Sequence, residues 1–356
     1  MKHDAARKAH PEKLMRFVSS AFQGAGMPVG DADLVAQILI DADLRGIDSH
    51  GVMNLGGYIQ GLRTGAINPR PEIKMSAGSP TTVSVDGDNG LGLVVSHRAM
   101  EECLRMAQVY GTGWATACNS NHSGAGAYYV MMAAAQGMIG IHSSSGGSTV
   151  AAPGGKGRLI GNNVLAFAAP GKTHGPFVLD MAPTMAIANK LHMLQWQGKP
   201  MPDGWAIDSN GRPITDPNVY FATEGAILPL GSTAANGVHK GFGLLLLSDI
   251  LTGLLSGDGG SMFRKKGEHT HAFCALRINA FPTGGDFTDL MDAMIEKLHA
   301  TPTVEGAGRI RYPGERGNLT YRERSANGIP LRPNVVEALG GVSRDLHLRL
   351  DDIWRA

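Results

Sequence analysis

Between Glu102 and Asp180 the chain runs for 77 residues without one carboxylate, where its own frequency of 31 acidic residues in 356 would supply about seven. The stretch keeps Arg105, Lys156, Arg158 and Lys172 and is otherwise apolar or rich in Gly, Ser and Asn. Two physical accounts fit. A core sheet flanked by small residues has no room for carboxylates, and a surface that receives an anionic ligand repels them. Glycine adds to the constraint: 49 of 356 residues, about twice the usual ~7%, are dispersed among apolar segments. Dispersed glycine implies many tight turns and close backbone approaches rather than low complexity.

The 32 basic and 31 acidic side chains nearly cancel, which leaves no electrostatic footprint for nucleic acid or an anionic membrane. The longest strongly apolar stretch, Gly241–Leu255, falls short of the roughly 18 residues a membrane span needs. It reads as a buried helix, with Leu244–Leu247 in the core. The opening residues, MKHDAARKAHPEKLM, lack the apolar segment of a secretory signal. Cys103, Cys118 and Cys274 have neither disulfide-framework nor zinc-ligand spacing. A soluble cytoplasmic enzyme is expected.

Periodicity orders the chain. Helical spacing is expected over Pro11–Gln23, from an Asp31 cap to Ala42, over Ser96–Tyr110, Ala125–Gln136, Met185–Gln197 and Phe287–His299. Strands are expected over Thr81–Gly87, Gly113–Ala117, Met138–His142 and His271–Phe281. The second and third of these strands, with the helix between them, would form a β-α-β unit. Apolar runs Arg158–Ala169 and Pro176–Met181, joined at Gly171–Gly175, read as a hairpin. A parallel unit beside a hairpin predicts an α/β fold with a mixed central sheet.

Two constellations carry chemistry. In the first, Ser49 would cap a helix that runs to about Thr64 and ends at Gly65. Val52, Leu55, Ile59 and Leu62 then form one face; His50, Asn54, Tyr58 and Gly61 lie opposite. His50 would sit at the positive end of the helix dipole, which keeps its imidazole neutral near pH 7. The second is Asn119–Gly126, a turn between strand and helix where free backbone N–H groups would meet an anion, with His122 at the junction. No G-x-G-x-x-G occurs, so a bound dinucleotide would need another arrangement. His269 and His271 lack a third metal ligand, and neither a phosphate loop nor a nucleophile elbow is present.

Seven motifs occur in one order along nearly the whole chain: RGIDSHGV (Arg45–Val52), NSNHSG (Asn119–Gly124), GNNVLAFAAPG (Gly161–Gly171), LDMA (Leu179–Ala182), PDGWAID (Pro202–Asp208), HKGFG (His239–Gly243) and YPGER (Tyr312–Arg316). Together they resemble the malate/L-lactate dehydrogenase family, which also contains ureidoglycolate dehydrogenase, sulfolactate dehydrogenase and Δ1-piperideine-2-carboxylate reductase. The resemblance implies a non-Rossmann nicotinamide-binding fold and a homodimer. It implies a helical substrate and dimer lobe from 1–76 plus 304–356, an NAD(P)-binding domain from 77–185 plus 237–303, and a small third domain over 186–236. It also implies NAD- or NADP-dependent interconversion of a 2-hydroxy acid and a 2-oxo acid, with no metal. A cyclic-imine reductase and a catalytically silent dinucleotide-binding homologue stay open.

Carried over by motif, the catalytic set is His50 first, then His122, with Ser49, and with Asp180 to orient an imidazole. Asn54 and Tyr58 fall on the substrate side. Ser123, Gly124, Ala125, Gly126, Gly146, Asn163, Asp180, Met181, Ala182, Lys240, Gly314, Glu315 and Arg316 fall on the coenzyme. The chain departs from the pattern at Asn54, where the family usually has an Arg that grips a carboxylate, and at Gly146 and Asn162, where Ser and Thr are common. Arg63 or Arg264 would have to supply the missing charge.

Overall fold

The computed structural model describes residues 7–265, 267–282 and 285–354. Its first part is helical: strand β1 (Arg7–Ala9), then α1 (Pro11–Gly24), α2 (Val29–Leu44) and α3 (Leu55–Thr64). The α2 helix begins before Asp31, which lies in its first turn and pairs with Arg98 instead of capping. Next come β2 (Lys74–Ser79), β3 (Thr82–Gly90), α4 (Gly92–Tyr110), β4 (Thr112–Ser120), α5 (Gly126–Ala134), β5 (Met138–Ser145), β6 (Val164–Ala169) and β7 (Phe177–Met181). The α6 helix (Ala188–Trp196), β8 (Ala206–Ile207), β9 (Pro213–Ile214), α7 (Pro217–Ala222) and β10 (Ala226–Ile227) follow, and then α8 (Val238–Asp249). The last elements are β11 (His269–Arg277), α9 (Phe287–His299), α10 (Glu315–Asn327), β12 (Ile329–Leu331) and α11 (Pro333–Asp345). Strand β12 pairs with β1, so the two ends of the described chain meet.

Seven strands form the central mixed sheet in the order β2-β3-β4-β11-β5-β6-β7. Strands β3 and β4 are parallel across the α4 crossover, and β6 and β7 form the expected hairpin. The expected β-α-β unit is split. Strands β4 and β5 flank α5 in sequence, but β11 lies between them and pairs antiparallel with both. The carboxylate-free stretch builds the middle of this sheet and the helices against it, where apolar burial dominates.

The sheet's pleat explains the one apolar segment that defies its expectation. Along β5, Gly140 and His142 face α5, while Ser143 and Ser145 face the opposite side. That side is polar, so the helix covering it turns its hydroxyls inward: Ser248 Oγ meets Ser143 Oγ at 2.6 Å and Thr252 Oγ1 meets Ser145 Oγ at 2.9 Å. The segment Gly241–Leu255 is therefore not a buried helix. It ends in a π-turn over Ile250–Leu254, and Leu247, Ile250, Leu254 and Leu255 are exposed.

One apolar cluster joins α1–α3 and the C-terminal elements to the sheet through Leu14, Phe22, Leu39, Leu55, Leu91, Met100, Phe273 and Ile329. A second, around Val150, Ile160, Leu191, Tyr220 and Leu245, sits beneath the three-stranded sheet β10-β8-β9. No helix among the described residues is long and apolar enough to cross a membrane.

Candidate active site

The first imidazole comes from a loop rather than a helix. Two short 3-10 turns, Asp48–His50 and Val52–Asn54, precede α3, so Ser49 is not its N-cap and His50 is off the dipole. Ser49 Oγ instead lies 2.9 Å from His50 Nδ1. The loop is held from beneath. Asp43 Oδ2 accepts the Val52 N–H at 2.9 Å, and a Cβ on Gly51 would overlap that carboxylate. Arg324 Nη1 donates to Asp43 O and to Asp48 Oδ1, both at 2.5 Å. Burial pushes the Asp43 carboxyl up to about 8.

The expected apolar face of α3 is in place: Val52, Leu55, Ile59 and Leu62 are buried. Tyr58 is buried as well, because its phenol reaches the second imidazole, with the hydroxyl 2.6 Å from His122 Nδ1. His122 follows β4, and its turn rests on the start of α4, where a Cβ on Gly92 would overlap the Asn121 carbonyl. The Gly124 N–H, which can only donate, lies 3.4 Å from His122 Nδ1. That nitrogen therefore carries a lone pair, accepts the Tyr58 hydroxyl, and leaves the proton on Nε2.

The two rings stack, with centroids 5.6 Å apart and planes at 24°. His269 adds a third ring, edge-on to His122 at 5.7 Å. Burial lowers the His50 pKa to about 4. It drives that of His122 well below the ordinary value, helped by the neighbouring His50 and His269. Both are neutral at pH 7 by desolvation, not by a helix dipole.

Beside His50 opens a cavity of about 350 Å³. The loop contributes Gly46, Ile47, Ser49 and His50; the α5 turn gives Gly124 and Ala125. Asn162, Val164, Asp180, Met181, Ala182, Ile187 and Arg316 complete the wall. Asn189, on α6, donates to Ser49 O at 2.9 Å and so ties the small β8–β10 unit to the His50 loop. Sequence reading missed Ile187 and Asn189, which carry no pattern of their own.

Several expected roles do not match what these side chains touch. Asp180 orients no imidazole: its carboxylate accepts the Ala127 N–H at 2.9 Å and that of Gly126, which occupies the helix start expected to be free for an anion. Burial raises its pKa to about 6 while those N–H groups hold it down. Asn54 Nδ2 donates to Ser49 O at 3.0 Å and Gly51 O at 3.3 Å, so it braces the His50 loop. Asn163 is fully buried with its Nδ2 on Leu245 O, and its neighbour Asn162 faces the cavity instead. Glu315 is buried against Arg309 and His299. Gly314 packs on β7 beside Val178, Gly126 is enclosed by Ala166 and His142, and Ser123 is buried with its carbonyl on Tyr129. Lys240 is exposed on α8 and does not line the cavity. Gly146 lies under the His269 ring.

Neither Arg63 nor Arg264 stands in for the missing cation. Arg63 lines a separate surface hollow with Ala338 and Asp345. The Arg264 guanidinium is spent on Ser145, Gly259 and Asp258. Arg316 is exposed, lines the cavity and forms no ion pair among the described residues. Those residues also hold no group of three metal-ligating side chains.

The sequence pattern of the malate/L-lactate dehydrogenase family matches residues 9–340. The chain belongs to this family. As a member of the malate/L-lactate dehydrogenase family the protein is an oxidoreductase. Malate dehydrogenase of Pyrococcus horikoshii is 39% identical over 339 residues, 94% of either chain. The solved structure of that enzyme from strain OT3 matches with a TM-score of 0.89 at 36% identity, over 97% of each chain. L-Sulfolactate dehydrogenase of Methanocaldococcus jannaschii is 32% identical over 351 residues, covering 96% of this chain and 98% of its own. The fold built on the mixed seven-stranded sheet is thus shared with that solved structure.

Proposed function

We propose that the protein is an NAD(P)-dependent dehydrogenase that interconverts a small 2-hydroxy acid and its 2-oxo acid. One observation carries the reading: His50, which lines the cavity, and His122 stack at 5.6 Å, and the Tyr58 phenol, 64 positions from His122, serves the second ring. The lining suits a nicotinamide coenzyme. Ile47, Val164, Met181 and Ile187 supply an apolar wall, Gly124 and Ala125 leave space, and Arg316 offers a cation to a phosphate. When bound, the coenzyme donates or accepts the hydride.

The chain's own side chains manage the proton. Tyr58 O–H and Gly124 N–H hold His122 Nδ1 as an acceptor, so its Nε2–H donates to a carbonyl oxygen; in reduction Nε2 passes its proton to the alkoxide while Nδ1 takes the Tyr58 proton and solvent restores the phenol, and oxidation runs these transfers in reverse. This hydrogen bonding favours His122, rather than His50, as the proton carrier. His50, fixed by Ser49, opposes charge on the neighbouring ring and keeps it reactive near neutral pH. Malate and sulfolactate dehydrogenases among the relatives support a short 2-hydroxy acid as the substrate.

The exposed apolar face formed by Leu247 of α8 with Ile250 and Leu254 of the turn after it supports a homodimer in which a second copy covers it. Three free cysteines fit a reducing, cytoplasmic setting. The deciding experiment follows NADH and NADPH absorbance against a panel of 2-oxo acids and cyclic imines. Oxidation of one coenzyme with 2-oxo acids is expected. Faster turnover of imines would replace the reading, and no turnover with any compound would end it.

A further inference from the structure

Three imidazoles, not two, meet in one cluster, of which His50 lines the cavity. His269, at the start of β11, sets its ring 5.7 Å from that of His122, and like His50 and His122 it is only partly buried. Its Nδ1 lies 2.9 Å from the Gly267 carbonyl. A carbonyl can only accept, so Nδ1 carries the proton and Nε2 presents a lone pair. The ring has room because residue 146 is glycine: a Cβ there would stand 2.5 Å from His269 Nε2. Gly146 and His269 therefore read as one unit. The small residue admits the large one, and no partner for Nε2 is found among the described residues.

Resting on the dehydrogenase reading above, we infer that His269 is a specificity-determining residue whose Nε2 accepts a hydrogen bond from the substrate beyond its reacting carbon. The group it selects is a donor, such as a hydroxyl or carboxamide, and it disfavours a carboxylate or sulfonate there. Lone pair against lone pair repels, and an acceptor that the bound substrate would shut off from water without pairing it is costly. Protonation of the ring to suit an anion is opposed by desolvation and by Arg264. Asn54 adds no cation to that end, because its amide is committed to Ser49 O and Gly51 O.

The test uses a matched pair, oxaloacetate and its amide 2-oxosuccinamate, which differ only in the distal group. Wild-type kcat/KM is expected to favour the amide by at least about 10-fold. In His269→Phe that ratio should fall to about 1, chiefly through KM for the amide, while the coenzyme Kd by fluorescence titration stays within about 2-fold. His269→Asn keeps an acceptor oxygen and should recover part of the preference, which guards against a misfolded Phe variant. Gly146→Ala, which displaces the ring, should behave like His269→Phe. A wild type that prefers the dicarboxylate, or a His269→Phe variant with an unchanged ratio, overturns the inference alone. Failure of the wild type on every 2-oxo acid overturns the dehydrogenase reading and the inference with it.

Discussion

At the scale of single residues, neutrality of the two stacked imidazoles is the governing property. Desolvation, not sequence position, lowers His50 to about 4. A buried imidazole gains from this only if its work needs the neutral form, as a relay that accepts a proton at one nitrogen and donates at the other does. His122→Ala is expected to cut kcat by at least ~10²-fold with coenzyme affinity retained, and Tyr58→Phe to cut it less. Stopped-flow turnover and coenzyme fluorescence titration separate the two effects; a His122→Ala enzyme with near-normal turnover removes the assignment. The acid limb of kcat/KM should fall well below pH 6.5, since neither ring protonates at its ordinary value. Asn54 makes a sharper case. Arg at this position loses both hydrogen bonds to Ser49 O and Gly51 O, so Asn54→Arg should cost about 1–2 kcal/mol of stability and fail to raise activity on malate or lactate. Urea denaturation and kcat/KM check this; a gain on either acid would show that carboxylate capture is what the position lacks.

At the scale of elements, two glycines set where the imidazoles stand. Gly51 lets the His50 loop rest on Asp43, and Gly92 lets α4 begin against the Asn121 carbonyl next to His122. Side chains can move aside, but a backbone carbonyl in a sheet-end turn cannot. Gly92→Ala should therefore destabilise by at least about 2 kcal/mol and lower kcat, because the His122 turn must shift. Chemical denaturation with parallel kinetics tests it, and a native-like Gly92→Ala enzyme would show the contact to be slack. The α8 segment shows how one element reverses a sequence pattern. Its Leu run looks like core, yet Ser143 and Ser145 on β5 take the hydroxyls of Ser248 and Thr252; Leu245 is buried, while Leu247, Leu254 and Leu255 face outward.

Over the whole molecule, several imidazoles resist protonation in the folded state. His50 and His142 are lowered to about 4, and His122 and His271 lie well below their ordinary value, all chiefly through burial. Each folded pKa is below the unfolded one, so the stabilisation is complete above the ordinary 6.5 and is lost as pH falls toward 4. Asp43, raised to about 8, acts in the other sense: its contribution fades as pH rises from 3.8 through about 8. Denaturant midpoints across pH 4–9 should thus fall steeply on the acid side, with uptake of at least about two protons on unfolding near pH 5.5. A flat acid limb would show that these rings are solvated. The outward leucines bear on assembly. Ile250→Glu with Leu254→Glu should convert the proposed dimer to monomer in light scattering, with Tm lowered; a dimer mass left unchanged would place the interface elsewhere.

The sequence alone determined what depends on local order along the chain. Helix periodicity, the β6–β7 hairpin, the mixed sheet and the imidazoles at His50 and His122 follow from spacing and motif, because each is written in neighbouring residues. Tertiary structure decided everything that joins distant segments. It placed β11 between β4 and β5, brought the Tyr58 phenol to His122, and put His269 above Gly146. It also turned Asp180 from an imidazole partner into the cap of α5, and Glu315 into a buried ion pair. Polar side chains of one type serve either role, and burial together with the nearest unpaired group chooses between them.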